Sequence, residues 1–129
     1  MKKTIFALAI SVLITGCASV PMADLESDNI AKSFKLVSDK ANLYIYRNES
    51  MGAAIKMPVL LNNQSIGDTA ANTYIFKQIT PGKYTVTSKT ENDAHITIDA
   101  EAGKNYFIWQ EVKMGMWSAR SQLQQVDEK

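Results

Sequence analysis

From Asn42 onward apolar residues fall at every second position, in short segments closed by turn signals. This alternation constrains the fold more than any other feature. The cleanest segment covers residues 94–100, where Ala94, Ile96, Ile98 and Ala100 alternate with His95, Thr97 and Asp99. A strand turns successive side chains to opposite faces, so the pattern predicts a half-buried strand. Leu43-Tyr44-Ile45-Tyr46 reads as another by its β-branched and aromatic content. Residues 55–61, 65–68, 73–79 and 84–88 continue the series, with Tyr74 and Phe76 on one face. Pro58 cannot donate to a ladder, which points to an edge position or a bulge. Residues 106–112 are apolar on both faces: Tyr106 and Ile108 on one, Phe107 and Trp109 on the other. They predict a central strand covered twice or a strand with an exposed aromatic face. A polar strand over residues 118–126 comes last.

The punctuation agrees with these strands. Asn62-Asn63-Gln64, Glu91-Asn92-Asp93 and Ala102-Gly103-Lys104 read as turns. In Thr80-Pro81-Gly82-Lys83, proline pre-sets φ at the second position and glycine accepts positive φ at the third. Seven or eight short strands result, about ten residues apart. They suggest an all-β sandwich or barrel. An open sheet of this size would leave an apolar face in water, so it must close or meet a second sheet.

The N-terminus is of another kind. Lys2 and Lys3 precede an apolar run over residues 4–14, and Ile14-Thr15-Gly16-Cys17 follows. This is the layout of a secretory signal peptide. The run is shorter than the roughly 20 residues that span a bilayer. An ordinary signal peptide with a leftover cysteine is the plainer alternative. However, the tetrapeptide resembles the bacterial lipobox, which implies cleavage between Gly16 and Cys17 and a diacylglycerol on the Cys17 thiol. A third chain can follow on the freed amine. Each buried CH₂ contributes about 0.8 kcal/mol; one acyl chain holds marginally, while two or three hold stably. In such lipoproteins an Asp after the cysteine favours inner-membrane retention. Ala18 stands there, which implies a lipid anchor in the outer membrane of a Gram-negative bacterium, facing the periplasm.

Three regions are therefore expected: a signal peptide over residues 1–16, a lipidated cysteine and flexible tether over 17–33, and a domain over 34–129. Within the tether, Pro21 and small polar residues suit a spacer. Ser27 or Asp28 would cap a short helical turn, after which Phe34 and Leu36 would reach the core.

Composition excludes several functions. Lys2 and Lys3 leave with the signal, and none of the 13 acidic residues does, so the formal charge falls from +1 to −1. No basic field remains to attract a phosphate backbone, so no nucleic-acid partner is expected. Cys17 is the only cysteine. Once it is acylated no disulfide can form, although the periplasm would allow one.

Leu43-Tyr44-Ile45-Tyr46-Arg47, the hairpin from Val59 to Gly67, Ile79-Thr80-Pro81-Gly82-Lys83-Tyr84-Thr85-Val86 and Gly103-Lys104-Asn105-Tyr106-Phe107 together resemble a family of uncharacterised bacterial lipoproteins, a domain of unknown function. The Pro-Gly-x-Tyr-x-Val element is similar to prealbumin-like modules such as the regulatory domains of carboxypeptidases. The resemblance implies a small antiparallel β-sandwich of seven to eight strands. It carries no catalytic residue over.

Chemistry is sparse. A metal site needs several converging His, Cys or carboxylate groups. His95 is the only histidine and stands on the outward side of its strand, where a solvated role is the plainer reading, so neither metal nor cofactor is expected. No Gly-x-Ser-x-Gly accompanies it, and the pairs Glu91/Asp93 and Asp99/Glu101 sit at turns. Arg47 suits a surface or inter-strand ion pair better than a carboxylate or phosphate contact.

The remaining candidates are aromatic and methionine residues. Phe107, Trp109, Met114, Met116 and Trp117, with Tyr44 and Tyr46 beside them, either fill the interior or stay in part exposed. Exposed, such residues suit a partner, because Met adapts and Trp supplies area. The expected function is a non-enzymatic envelope lipoprotein that binds an envelope protein or component through Met114, Met116, Trp117 and Trp109. One alternative is a small-ligand or peptide binder using the apolar face between the sheets. A weaker one is an envelope hydrolase.

Overall fold

A computed structural model describes residues 19–48, 55–90, 92–114 and 119–127. Its described elements are α1 (Leu25–Lys32), β1 (Ala41–Tyr46), β2 (Met57–Leu61), β3 (Gln64–Thr69), β4 (Tyr74–Ile79), β5 (Gly82–Lys89), β6 (Asp93–Ala100), β7 (Asn105–Met114) and β8 (Ala119–Val126). The strands form two four-stranded sheets, ordered β4-β1-β7-β8 and β3-β2-β5-β6. Neighbours are antiparallel except β1 and β7, which run parallel, Asn42 beside Asn105 through Tyr46 beside Trp109.

The alternation in β6 appears as expected: Ile98 and Ala100 are buried, and His95, Thr97 and Asp99 are exposed. Between the sheets Leu43 and Ile45 of β1 meet Val59, Val86, Ile98 and Ile108. Leu43, Ile45, Val59, Val86 and Ile108 are fully buried. Each aliphatic side chain of this size contributes about 1.5–3 kcal/mol on leaving water. The central position of β7, with both faces partly covered, follows from its apolar residues on both sides.

The turns follow their chemistry. Asn62 and Asn63 take φ of 49° and 65° between β2 and β3, the left-handed pair that a two-residue hairpin turn demands. Asn62 Oδ1 also accepts from the Thr85 backbone N–H at 2.9 Å. Pro81-Gly82 is a crossover rather than a hairpin, since β4 and β5 lie in different sheets. Pro58 is not on an edge strand: β2 is flanked by β3 and β5. Its missing N–H is tolerated because pairing with β5 starts only at Val59, and the register with β3 shifts between Val59 and Leu60.

The N-terminal helix begins earlier than expected. Asp24, not Ser27 or Asp28, is the cap: its Oδ1 accepts from the Ser27 N–H at 2.7 Å. Part of the segment read as tether is thus helical. Phe34 and Leu36 do not enter the inter-sheet core; they are 47% and 54% exposed. Phe34 instead has φ of 53° just past the helix and lies on the outer face of the first sheet.

Arg47 is likewise not on the surface. It is 1% exposed and its Nη1 donates to Ile55 O at 2.7 Å and Thr69 O at 3.3 Å. Nearby, Gln110 links the sheets. Its Oε1 accepts from Thr69 at 2.5 Å and its Nε2 donates to Ser88 Oγ at 2.5 Å.

Candidate functional site: the aromatic outer face

The outer face of the first sheet is unusual for a surface. In β1 the inward residues are Ala41, Leu43 and Ile45, which leaves Asn42, Tyr44 and Tyr46 facing out. Register then dictates the neighbours. Phe76 and Phe107 flank Tyr44, and Tyr74 and Trp109 flank Tyr46. Two aromatic rows therefore cross three strands.

The rings are in contact. Tyr44 stacks on Phe107 with centroids 5.1 Å apart at 18°, and meets Phe76 at 4.9 Å. Phe34 closes over both, 5.2 Å from Tyr44 and 5.9 Å from Phe107. Such pairs contribute about 0.5–1.5 kcal/mol beyond area burial. Phe34 is held by its backbone. Asn105 Nδ2 donates to Phe34 O at 3.1 Å, while Asn42 Nδ2 donates to Lys35 O at 2.9 Å and Asn105 Oδ1 at 2.8 Å.

Helix α1 is docked on the same face. Tyr44 donates its hydroxyl to Ala31 O at 2.5 Å, and Ala31 is 2% exposed. Tyr74 donates to Asp28 Oδ1, whose other oxygen accepts from Lys32 Nζ at 2.7 Å. The Lys32 bond, then the Tyr74 bond, hold the Asp28 carboxyl below its usual range. Burial and the Asp28 hydrogen bond push the Tyr74 phenol up to about 12.

Beside the helix these groups leave a cleft of about 320 Å³, with apolar walls formed by Lys32, Phe34, Tyr44, Tyr46, Tyr74 and Phe107. A second, wider groove of about 780 Å³ runs between the segment around α1 and the β3–β4 edges, from Val20 to Lys77. Neither lies between the sheets, where the inter-sheet ligand site was expected.

Of the residues proposed from sequence, Trp109 lies on the aromatic face, half-buried beside Tyr46. Its buried indole Nε1 finds no hydrogen-bond partner among the described residues. Met114 ends β7 opposite Ala119. Met116 and Trp117 lie outside the described residues, as do Gly16 and Cys17. The grouping of Tyr44, Tyr46, Phe107 and Trp109 was legible. Lys32, Phe34 and Tyr74 were missed as parts of the cleft. Tyr74 could have been found, because its strand alternates Tyr74, Phe76 in the same sense.

His95 is exposed, and its Nδ1 sits 2.9 Å from Thr87 Oγ1. Thr87 is 1% exposed, so no substrate reaches that hydroxyl. Among the described residues no group of three or more His, Cys, Asp or Glu side chains is placed to hold a metal ion. Among the same residues no helix is long and apolar enough to cross a membrane.

Comparison with known proteins places the chain. The family model described as "Protein of unknown function (DUF2846)" matches residues 37–122. The chain belongs to this family. An uncharacterized protein of Haemophilus influenzae is 36% identical over 133 residues, covering 98% of this chain and 79% of that relative. The DUF2846 match contains Tyr44, Tyr46, Tyr74 and Phe107 but ends short of Lys32 and Phe34. The cleft is therefore built by the family domain and closed by the segment before it.

Proposed function

We propose that this protein is a non-enzymatic lipoprotein, acylated on Cys17 after cleavage behind Gly16, that engages another envelope protein or component through its aromatic outer face. The observation that carries this reading is the cleft walled by Phe34, Tyr44, Tyr46, Tyr74 and Phe107. Half-buried aromatic rings supply contact area at little entropic cost, which suits recognition. The lipobox-like Ile14-Thr15-Gly16-Cys17 and Ala18 support delivery to the periplasmic face of the outer membrane. The prealbumin-like kinship belongs to the same reading; the Pro-Gly-x-Tyr-x-Val element behind it forms the crossover into β5.

The test is in-cell photo-cross-linking from positions 46 and 109, with position 97 on the opposite sheet as control. A discrete envelope product from the first two positions, absent from the third, is expected. Identical products from all three would refute the reading. A second reading, a small apolar ligand, is favoured by the cleft volume, which is at the lower end for ligand sites. It moves the ligand from between the sheets to the outer face. Solvent extraction of protein purified from membranes, followed by mass spectrometry, would reveal such a ligand.

A further inference from the structure

Among the described residues, the large apolar side chains left exposed are Met22 (74%), Leu25 (75%), Ile30 (54%), Phe34 (47%), Leu36 (54%) and Val126 (36%). All but Val126 fall within residues 22–36. Helix α1 and Phe34, in that segment, rest on the outer face of the first sheet. Val126 pairs with Phe107 and shares its face. The far side of the molecule has another character. In β6 it presents His95, Thr97 and Asp99 to water.

Within α1 the exposure is directional. At about 100° per residue, Leu25 and Ile30 each stand roughly 100° or more from Ala31, the residue that meets the sheet. The helix therefore turns one side to Tyr44 and carries Leu25 and Ile30 on its two flanks, about 140° apart. Among the described residues nothing buries those two side chains: Leu25 stays 75% and Ile30 54% exposed.

Chain length says what covers them. Five residues span at most about 18 Å when fully extended, so Met22 lies within that distance of Cys17. Leu25, Ile30 and Leu36 follow directly. We propose that residues 22–36 form a membrane-contact face, lying in the headgroup region of the bilayer that holds the Cys17 acyl chains; this rests on the lipoprotein reading above. The first sheet then faces the bilayer and the second faces away. In this position Leu25 and Ile30 insert singly at the headgroup–acyl boundary, where interfacial helices sit about 5–10 Å deep. Residues 22–36 carry Asp24, Glu26 and Asp28 against Lys32 and Lys35, a formal charge of −1, so apolar area and not charge must drive the contact. The aromatic cleft opens on the membrane-facing side, which restricts its occupant to something reachable at the bilayer surface.

The test uses the full-length protein purified from membranes and reconstituted in phosphatidylethanolamine–phosphatidylglycerol vesicles. Single variants Leu25→Cys, Ile30→Cys and Thr97→Cys carry an environment-sensitive fluorophore, and the vesicles carry a nitroxide-labelled lipid. All three positions are exposed, so the fold tolerates the label. Probes at 25 and 30 are expected to shift to the blue and lose most of their emission to the lipid quencher, while the probe at 97 is unaffected. Equal, unquenched emission at all three, in protein whose Cys17 acylation is verified by mass, overturns the contact face and leaves the lipoprotein reading standing. Unmodified Cys17 overturns both. Probes at 25 and 30 shielded from an aqueous quencher yet unreached by the lipid quencher overturn it in favour of a second copy of the chain.

Discussion

Gln110 joins the two sheets by a side chain alone, from β7 to Thr69 of β3 and Ser88 of β5. It is fully buried, in the inward stripe that also holds Ile108 and Val112. In that interior a polar group is stable only with its partners. Gln110→Ala removes both hydrogen bonds and opens a cavity, which is expected to cost about 2–4 kcal/mol. Urea unfolding would show it as a lower midpoint at unchanged slope. Equal stability would mean the link contributes nothing net. Nothing in the sequence marks Gln110 or Arg47 as buried. A polar residue in a strand reads as solvent-facing, and whether it is satisfied indoors depends on residues far along the chain.

Tyr74 is readable by pH. Its phenol is pushed up to about 12, above the value near 10 of an unfolded chain. The folded state thus favours the neutral form. The associated stability is complete below about pH 10 and is lost as pH rises towards 12. Asp28 has the opposite sign: its carboxyl is lowered, so its contribution is present above the unfolded carboxylate range and fades as pH falls through the folded value. Burial raises Tyr46 as well, so an ultraviolet tyrosinate titration should show late absorbance whose amplitude near 12 falls by one tyrosine in Tyr74→Phe. An amplitude that the substitution leaves unchanged would assign the step elsewhere.

At the level of elements, α1 is attached rather than integral. The inter-sheet core of Leu43, Ile45, Val59, Val86, Ile98 and Ile108 takes no residue from it. A chain starting at Leu36 is expected to unfold cooperatively still, while exposing Tyr44 and Phe107 and binding a hydrophobic dye more strongly. Loss of cooperative unfolding would make the helix part of the fold itself. The strands were legible because each carries its own two-residue period. Their grouping was not. Thr80-Pro81-Gly82-Lys83 has the chemistry of a hairpin turn, yet it carries the chain between sheets. The start of α1 was misplaced because Ala31 is its buried residue among those described, which leaves no apolar stripe to read.

On the scale of the whole molecule, the two outer faces differ in kind. One is aromatic and partly roofed by α1; the other is polar in β6. The aromatic face was half legible. Tyr44, Tyr46, Phe107 and Trp109 lie in two strands whose outward positions alternate plainly. Phe34 and Lys32 join them only through the Asn42–Asn105 clasp and the helix packing, which are tertiary events. Met116 and Trp117, expected to share the site, lie outside the described residues.

The parallel pairing of β1 with β7 has a kinetic consequence. Asn42 and Asn105 are 63 residues apart, and their strands sit side by side at the centre of the first sheet. A chain delivered N-terminus first can close the β5–β6 hairpin as it emerges, but it cannot seat β1 between both neighbours until residues 105–114 arrive. Long-range closure of this sort is slow, since loop entropy is lost before the contacts reward it. Assembly of the first sheet is therefore a late step, and until then the aromatic strand β1 has no β7 beside it. A nascent molecule of this design depends on prompt completion of the chain, or on a holding factor, to avoid pairing with a neighbour instead.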